Sequence, residues 1–270
     1  MWHPDEKKEN TGMSEQLVIL ERFEQGQVAL LTLNRPEALN ALSRELMQAI
    51  DAALDEASDS RVLIITGGGR AFAAGADIAQ LAPLGAVDVM PWVRQMQDLY
   101  KRIEALPQPV IAAVNGLALG GGCELVLACD LVLAAESARF GVPEIKIGVI
   151  PGAGGTQRLT RLLGRNRAKQ WLMFGEPVAA DRACEAGLVN HVVADAELLD
   201  LARQWATTLC SRPALALEAA KTTANIGPDA SLAVALEVEM QCLARLFASQ
   251  DKREGMAAFV EKRPPVFRGE

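Results

Sequence analysis

The sequence predicts an α/β fold organised around a largely parallel sheet, and three observations carry that expectation. Short apolar strands alternate with amphipathic helices over residues 17–200, glycine clusters and prolines close most of those segments, and from Asp195 onward the pattern is helical almost throughout. Parallel strands need crossover connections, and amphipathic helices are the usual ones.

Two β-rich runs, Leu17–Phe23 and Gln27–Leu33, are joined by Glu24-Gln25-Gly26 and read as a hairpin. Ser43 is placed to cap a helix whose apolar positions Leu46, Ala49, Ile50 and Leu54 recur at helical period, and the strand Val62–Thr66 then ends in Gly67-Gly68-Gly69. The pattern repeats with a helix from Val93 to Leu106, a stop at Pro107 and Pro109, a buried strand Val110–Val114 and a helix opening at Glu124. Strands are expected at Asp130–Ala135 and Ala138–Phe140, then helices at Thr156–Leu163, Arg167–Phe174 and Ala180–Ala186, and a last strand at Leu188–Val193. Long amphipathic helices over Ala196–Leu209, Pro213–Asn225 and Ser231–Ala248 form a helical region from about residue 200, whose apolar faces must be buried on the core or on a neighbouring subunit. Residues 1–16 are expected to be a disordered leader or extension, with a second start at Met13.

Half the 270 residues are hydrophobic, enough for one sizeable core. A net charge of −7 argues against a nucleic-acid groove or an anionic membrane surface as partner. Five cysteines without C-x-x-C spacing, and no apolar stretch of membrane-spanning length, lead to the expectation of reduced thiols in a cytoplasmic protein.

The absences narrow the chemistry. With only two histidines, His3 and His191, a histidine triad or His-rich metal site would rest on His191 alone, so no metal is expected. There is no phosphate-binding G-x-x-x-x-G-K-[ST] loop, and the glycine spacing fails the dinucleotide fingerprint. Carboxylates and exposed backbone amides remain. Glu124 follows Gly120-Gly121-Gly122-Cys123 in the first turn of an apolar helix, where it either serves acid/base chemistry or complements the helix dipole. Glu144, in Phe140-Gly141-Val142-Pro143-Glu144-Ile145, either has its pKa raised by apolar neighbours or simply opens a helix. In Ala73–Ile78 and Leu119–Gly122, small residues after strands leave N–H groups free to form an oxyanion hole, or else only permit close strand–helix packing.

Taken together, Ala71–Ile78, Pro109–Gly116, Gly120–Leu125, Phe140–Glu144 and Pro151–Arg158 resemble the crotonase (enoyl-CoA hydratase/isomerase) family, a similarity that runs from about Leu17 to Arg263. The resemblance implies a spiral of repeated ββα units over residues 17–200 and a C-terminal helical trimerisation region over 201–270, assembled as a trimer or dimer of trimers. It implies hydration of an enoyl-CoA in fatty-acid or aromatic-acid degradation, with another reaction of the family such as enoyl-CoA isomerisation, or a non-catalytic acyl-CoA-binding scaffold, as the alternatives, and with no cofactor because coenzyme A is carried by the substrate. Glu124 and Glu144 become the catalytic pair, the N–H groups of Ala76 and Gly121 the oxyanion hole, and Gly152 the seat of the attacking water. Ala74, Asp77, Ile78, Ala79, Phe259 and Lys262 match positions that line or approach the CoA site. Lys146 departs from the pattern of close relatives, and is expected either to fold toward Glu144 and lower its pKa or to stay solvated.

Overall fold

A computed structural model describes residues 16–270, so the expected leader, Gln16 apart, lies outside the described residues. Strands β1 (Val18–Phe23) and β2 (Val28–Leu33) form the antiparallel hairpin, turning through Glu24, Gln25 and Gly26, all at positive φ. Helix α1 (Arg44–Glu56) begins where the sequence places its cap, because Ser43 accepts a hydrogen bond from the Leu46 N–H at 3.2 Å.

From there each circuit of the chain lays down two strands and then helix. The first gives β3 (Val62–Gly67), β4 (Ala71–Ala73), α2 (Ile78–Leu81) and α3 (Val89–Ala105). The second gives β5 (Val110–Val114), β6 (Leu117–Leu119) and α4 (Gly121–Leu127). The third gives β7 (Leu131–Ala135), β8 (Arg139–Gly141), a 3-10 turn at Pro143–Ile147, α5 (Gly155–Leu163) and α6 (Arg165–Phe174). After β9 (Val178–Ala179), α7 (Ala180–Glu185) and β10 (His191–Val193) come four helices, α8 (Leu198–Cys210), α9 (Ala214–Ile226), α10 (Leu232–Phe247) and α11 (Gln250–Glu261). The first strand of each circuit joins a six-stranded sheet ordered β1-β2-β3-β5-β7-β10, and the second joins a four-stranded sheet ordered β4-β6-β8-β9. That is the expected ββα spiral.

The corners between the sheets explain the Gly67–Gly69 and Asn115-Gly116 signals. A Cβ on Gly67 would lie 2.1 Å from the Ala71 carbonyl oxygen, and one on Gly116 would lie 2.2 Å from that of Arg70, so neither site admits a side chain. Asn115 ties successive corners together, its amide accepting from the Gly67 N–H at 3.1 Å and donating to the Gly69 carbonyl at 3.0 Å. Alternate residues of the large sheet then face two cores. Leu31, Leu33, Leu63, Ile65, Ala112 and Val114 pack toward α1, α3 and α4, while Val28, Leu30, Val62, Ile64, Ile111 and Leu133 pack against Leu198, Ala202 and Ala206 of α8.

Three expectations change in detail. The last strand is three residues rather than six, because the Leu188 and Val189 N–H groups both turn back to the Ala183 carbonyl to close α7. Helix α4 starts at Gly121, not Glu124, which keeps Glu124 within the first turn as expected. The small sheet was not foreseen as a sheet, since its strands are only two or three residues long. Helix α8 straddles residue 201 and covers one face of the large sheet, whereas α10 leaves Leu236, Met240, Leu243 and Phe247 more than half exposed.

Candidate active site

The site forms where the end of β4 meets the start of α4. A Cβ on Gly122 would sit 1.9 Å from the Ala73 carbonyl oxygen, so glycine alone lets the helix approach the strand this closely. Beyond Ala73 the chain pairs with Leu42, whose N–H donates to Gly75 at 2.8 Å and whose carbonyl accepts from Asp77 at 3.1 Å. Such a bridge turns the N–H of the intervening Ala76 away from Leu42. Gly121 is the first helical residue, so its N–H has no partner inside the helix. Among the described residues neither the Ala76 nor the Gly121 N–H donates to a protein acceptor. Gly75 and Gly120 bring the two segments together, since a Cβ on Gly120 would lie 3.5 Å from the Gly75 Cα.

Glu144 lies against the same glycine: its Oε1 would be 2.8 Å from a Cβ on Gly120, a position held at φ +51°. Its Oε2 is buried and accepts from no described donor. Burial, with Glu124's charge adding to it and the Glu144 N–H opposing it, raises this carboxyl from its ordinary 4.5 to about 7. Glu124 is 2% exposed, and its Oε1 accepts from the N–H groups of Ala153 at 2.8 Å and Gly155 at 2.7 Å. Burial raises its pKa too, but those two donors and the positive charge of Arg158 pull the other way. A Cβ on Gly155 would come within 2.9 Å of Glu124 Cγ, which is why the Gly154-Gly155 pair can wrap the carboxylate.

The two glutamates, twenty residues apart in sequence, therefore share one local field beside two free N–H groups. Gly152 stands in the same wall as Gly155, its carbonyl accepting from the Gln97 amide at 2.7 Å and its Cα facing Val93. Gly121 faces Leu42 and Met96, so this part of the wall is apolar.

The remaining sequence-predicted positions behave differently. Asp77 has no carboxylate to spare: one oxygen caps α2 through the Ala79 N–H at 3.0 Å, and the other pairs with Arg35 at 2.7 Å. The Arg35 hydrogen bond is the main reason its pKa lies below the ordinary value. Ala74 is tied to the Leu39 carbonyl at 3.0 Å, whereas Ile78 is 51% exposed and Ala79 is exposed beside it. Phe259, 86% exposed, and Lys262, at the left-handed cap of α11, stand on a helix whose packing partner is α10. Lys146 takes its solvated alternative, pairing with Glu176 at 2.8 Å. His191 is exposed on β10.

Sequence reasoning missed the support. Glu124 has no basic residue near it along the chain, yet α5 carries Arg158 to it, and Arg158 is itself held by Glu104 through two contacts of 2.5 and 2.7 Å. Tyr100, the only tyrosine in the chain, donates to the Gly121 carbonyl at 2.6 Å.

A buried carboxylate and a half-buried one beside a pair of N–H groups without protein acceptors form an arrangement suited to acid/base chemistry without a histidine. The chain belongs to the enoyl-CoA hydratase/isomerase (crotonase) family, whose model matches residues 23–270. It is 43% identical to the crotonyl-CoA hydratase of Syntrophomonas wolfei over 259 residues, covering 94% of this chain and 99% of that one. It is 44% identical to the 2,3-dehydroadipyl-CoA hydratase of Escherichia coli over 249 residues, covering 91% and 96% respectively. Among solved structures, an enoyl-CoA hydratase from Bacillus anthracis superposes with a TM-score of 0.90 at 39% identity, covering 94% of this chain and all of that one.

Proposed function

We propose that this protein is an enoyl-CoA hydratase that adds water reversibly to the double bond of a trans-2-enoyl-CoA, giving the 3-hydroxyacyl-CoA. The carrying observation is the unequal support of its two carboxylates: Glu124, buried, is gripped by two N–H groups with a cation nearby, and Glu144 keeps a bare, buried oxygen.

In this reading the thioester oxygen accepts from the N–H groups of Ala76 and Gly121, which stabilise the charge that develops when the β-carbon is attacked. Removing one such donor costs ~3 kcal/mol in related chemistry. Water sits between Glu124 and the Gly152 wall, gives its proton to Glu124 and forms the new carbon–oxygen bond. Glu144, protonated, delivers its proton to the α-carbon, which breaks the enolate. Water has then been added, and the pair returns to its starting protonation by exchange of one proton with solvent; dehydration reverses each step.

Coenzyme A enters as part of the substrate, and no separate cofactor is required. Ala74, Ile78 and Ala79 are placed to meet the CoA arm beside the oxyanion donors, while Asp77 acts by holding their turn. Phe259 and Lys262 belong to the CoA site through the assembly, as a trimer or dimer of trimers in the cytoplasm. The exposed apolar face of α10 supports that assembly, and no described helix is long and apolar enough to cross a membrane.

The test is loss of the conjugated-thioester absorbance with crotonyl-CoA and a panel extending to long-chain and dicarboxylic enoyl-CoAs, run beside a 3-enoyl-CoA. Hydration of the 2-enoyl substrates is expected, with Glu124→Gln and Glu144→Gln each losing turnover by orders of magnitude while retaining ligand binding. Double-bond migration alone, or full turnover by either variant, would overturn the reading.

A further inference from the structure

The dehydration–hydration chemistry depends on main-chain groups in glycine-rich segments, and glycine-rich backbone does not hold itself still. Gly120, Gly121 and Gly122 are consecutive, and Gly152, Gly154 and Gly155 fall within four residues. We propose that one face of α3 aligns the reaction: Gln97, Tyr100 and Glu104 act as positioning residues, the last through Arg158, by fixing the carbonyls of Gly152, Gly121 and Ala153. The proposal rests on Glu124 being the carboxylate that activates water.

The three side chains are spaced three and four residues apart, which puts them in one row along the helix. The Gln97 amide donates to the Gly152 carbonyl at 2.7 Å, at the wall where water is seated. One turn on, the Tyr100 hydroxyl donates to the Gly121 carbonyl at 2.6 Å, fixing the peptide that follows the oxyanion donor. Tyr100 is wholly buried, so losing that acceptor would strand a polar group in the core, at a cost far above that of a solvated hydroxyl. A further turn on, Glu104 clamps Arg158 through both carboxylate oxygens, and Arg158 Nη1 donates to the Ala153 carbonyl at 2.8 Å. The Ala153 N–H, on the same residue, holds Glu124 Oε1 at 2.8 Å.

Gly154 shows that this relay is built in. It sits at φ +111°, and a Cβ there would fall 2.1 Å from Arg158 Nη1, so the loop is shaped around the guanidinium. The buried, paired Arg158 acts in two ways: its bonds aim the donors that grip Glu124, and its charge favours the ionised form that a base needs. Lysine can keep the charge but cannot form the two-pronged contact with Glu104 while also reaching Ala153.

The experiment compares Arg158→Met, Arg158→Lys and Tyr100→Phe in the full chain with crotonyl-CoA, reading kcat and KM separately, the pH profile of kcat/KM and the thermal melt. Arg158→Met is expected to lower kcat about 100-fold with KM within roughly threefold, and to move the ascending limb to higher pH because Glu124 loses its cation. Arg158→Lys is expected to lose kcat about tenfold with that limb in place, and Tyr100→Phe about tenfold with the limb also in place. A purely structural role would lower the folded fraction without moving the limb, and that outcome would overturn the proposal, as would folded variants within about twofold of the parent kcat. Should Arg158→Met fail to fold, Arg158→Lys and Tyr100→Phe carry the same decision through kcat. Glu124→Gln is measured alongside: if it keeps full turnover, the catalytic reading fails and the alignment by α3 with it; if it is dead while the three variants are near normal, the alignment by α3 alone fails.

Discussion

Replacing Glu144 by Gln should make the protein more stable at neutral and alkaline pH while it abolishes turnover. The carboxyl titrates near 4.5 when unfolded and near 7 when folded, because burial beside Glu124 penalises its charged form. Between those values the folded chain holds a proton that the unfolded chain has released, so stability falls as pH rises through the window. The gap of about 2.5 pH units, at ~1.36 kcal/mol per unit, sets an upper bound of about 3 kcal/mol, and partial solvent access reduces it to roughly 1–3 kcal/mol. Glutamine is neutral throughout and lacks this slope. Urea unfolding of both proteins at pH 5, 6, 7 and 8, at one fixed protein concentration so that assembly contributes equally, reads the difference directly. The variant's advantage should grow by that amount between pH 5 and pH 8. Parallel stability curves across the range would show that Glu144 has an ordinary pKa, and would remove the basis for treating it as the acid.

In the active parent, kcat/KM should fall as pH rises through about 7, since protonated Glu144 is then lost; activity that stays level to pH 9 would contradict its role. Gly155→Ala places a Cβ 2.9 Å from both Glu124 Cγ and Pro151 Cβ and should lower kcat on the order of 100-fold in crotonyl-CoA turnover, with a lowered thermal melt as the wall shifts. Lys146→Ala should leave the descending limb in place, because Lys146 pairs with Glu176 rather than Glu144; a shift of about one pH unit would show otherwise. Met240→Glu, on the exposed apolar face of α10, should reduce the particle mass measured by sedimentation, and an unchanged mass would place the subunit interface elsewhere.

The legible parts of the sequence were those whose signals are local. Ser43 announces its helix because its side chain caps the Leu46 N–H, and Val110–Val114 reads as a buried strand because every position is apolar, with prolines before it and Asn115-Gly116 after it. The two glutamates stood out through their neighbours: apolar runs around a carboxylate foretell desolvation whatever the tertiary structure. What could not be read was set by distant segments. Strands β4, β6 and β9 span two or three residues, too short for any periodicity; β4 and β6 exist because the corners at Gly67 and Gly116 turn the chain into the second sheet, and β9 because the chain after α6 returns antiparallel beside β8. Arg158 lies 34 residues beyond Glu124, and only the packing of α5 against α4 reveals it as the cation of the site. Asp77 is the instructive case: the sequence marks its turn, but its carboxylate is committed to Arg35 and the α2 cap, so the residue shapes its loop without offering a free charge.

The asymmetry between the carboxylates bears on which one begins the reaction ionised. Burial acts on both in the same direction, so it cannot assign roles by itself. Support can. Glu124 receives two main-chain donors and faces a guanidinium that is locked by Glu104, all of which favour the anion; Glu144 has only its own N–H, an unpaired oxygen and the repulsion of Glu124. Ionising the first therefore makes ionising the second harder, and the unequal support favours leaving the proton on Glu144. That single shared proton matches the need of hydration, in which one carboxyl must accept a proton from water while the other donates one to carbon.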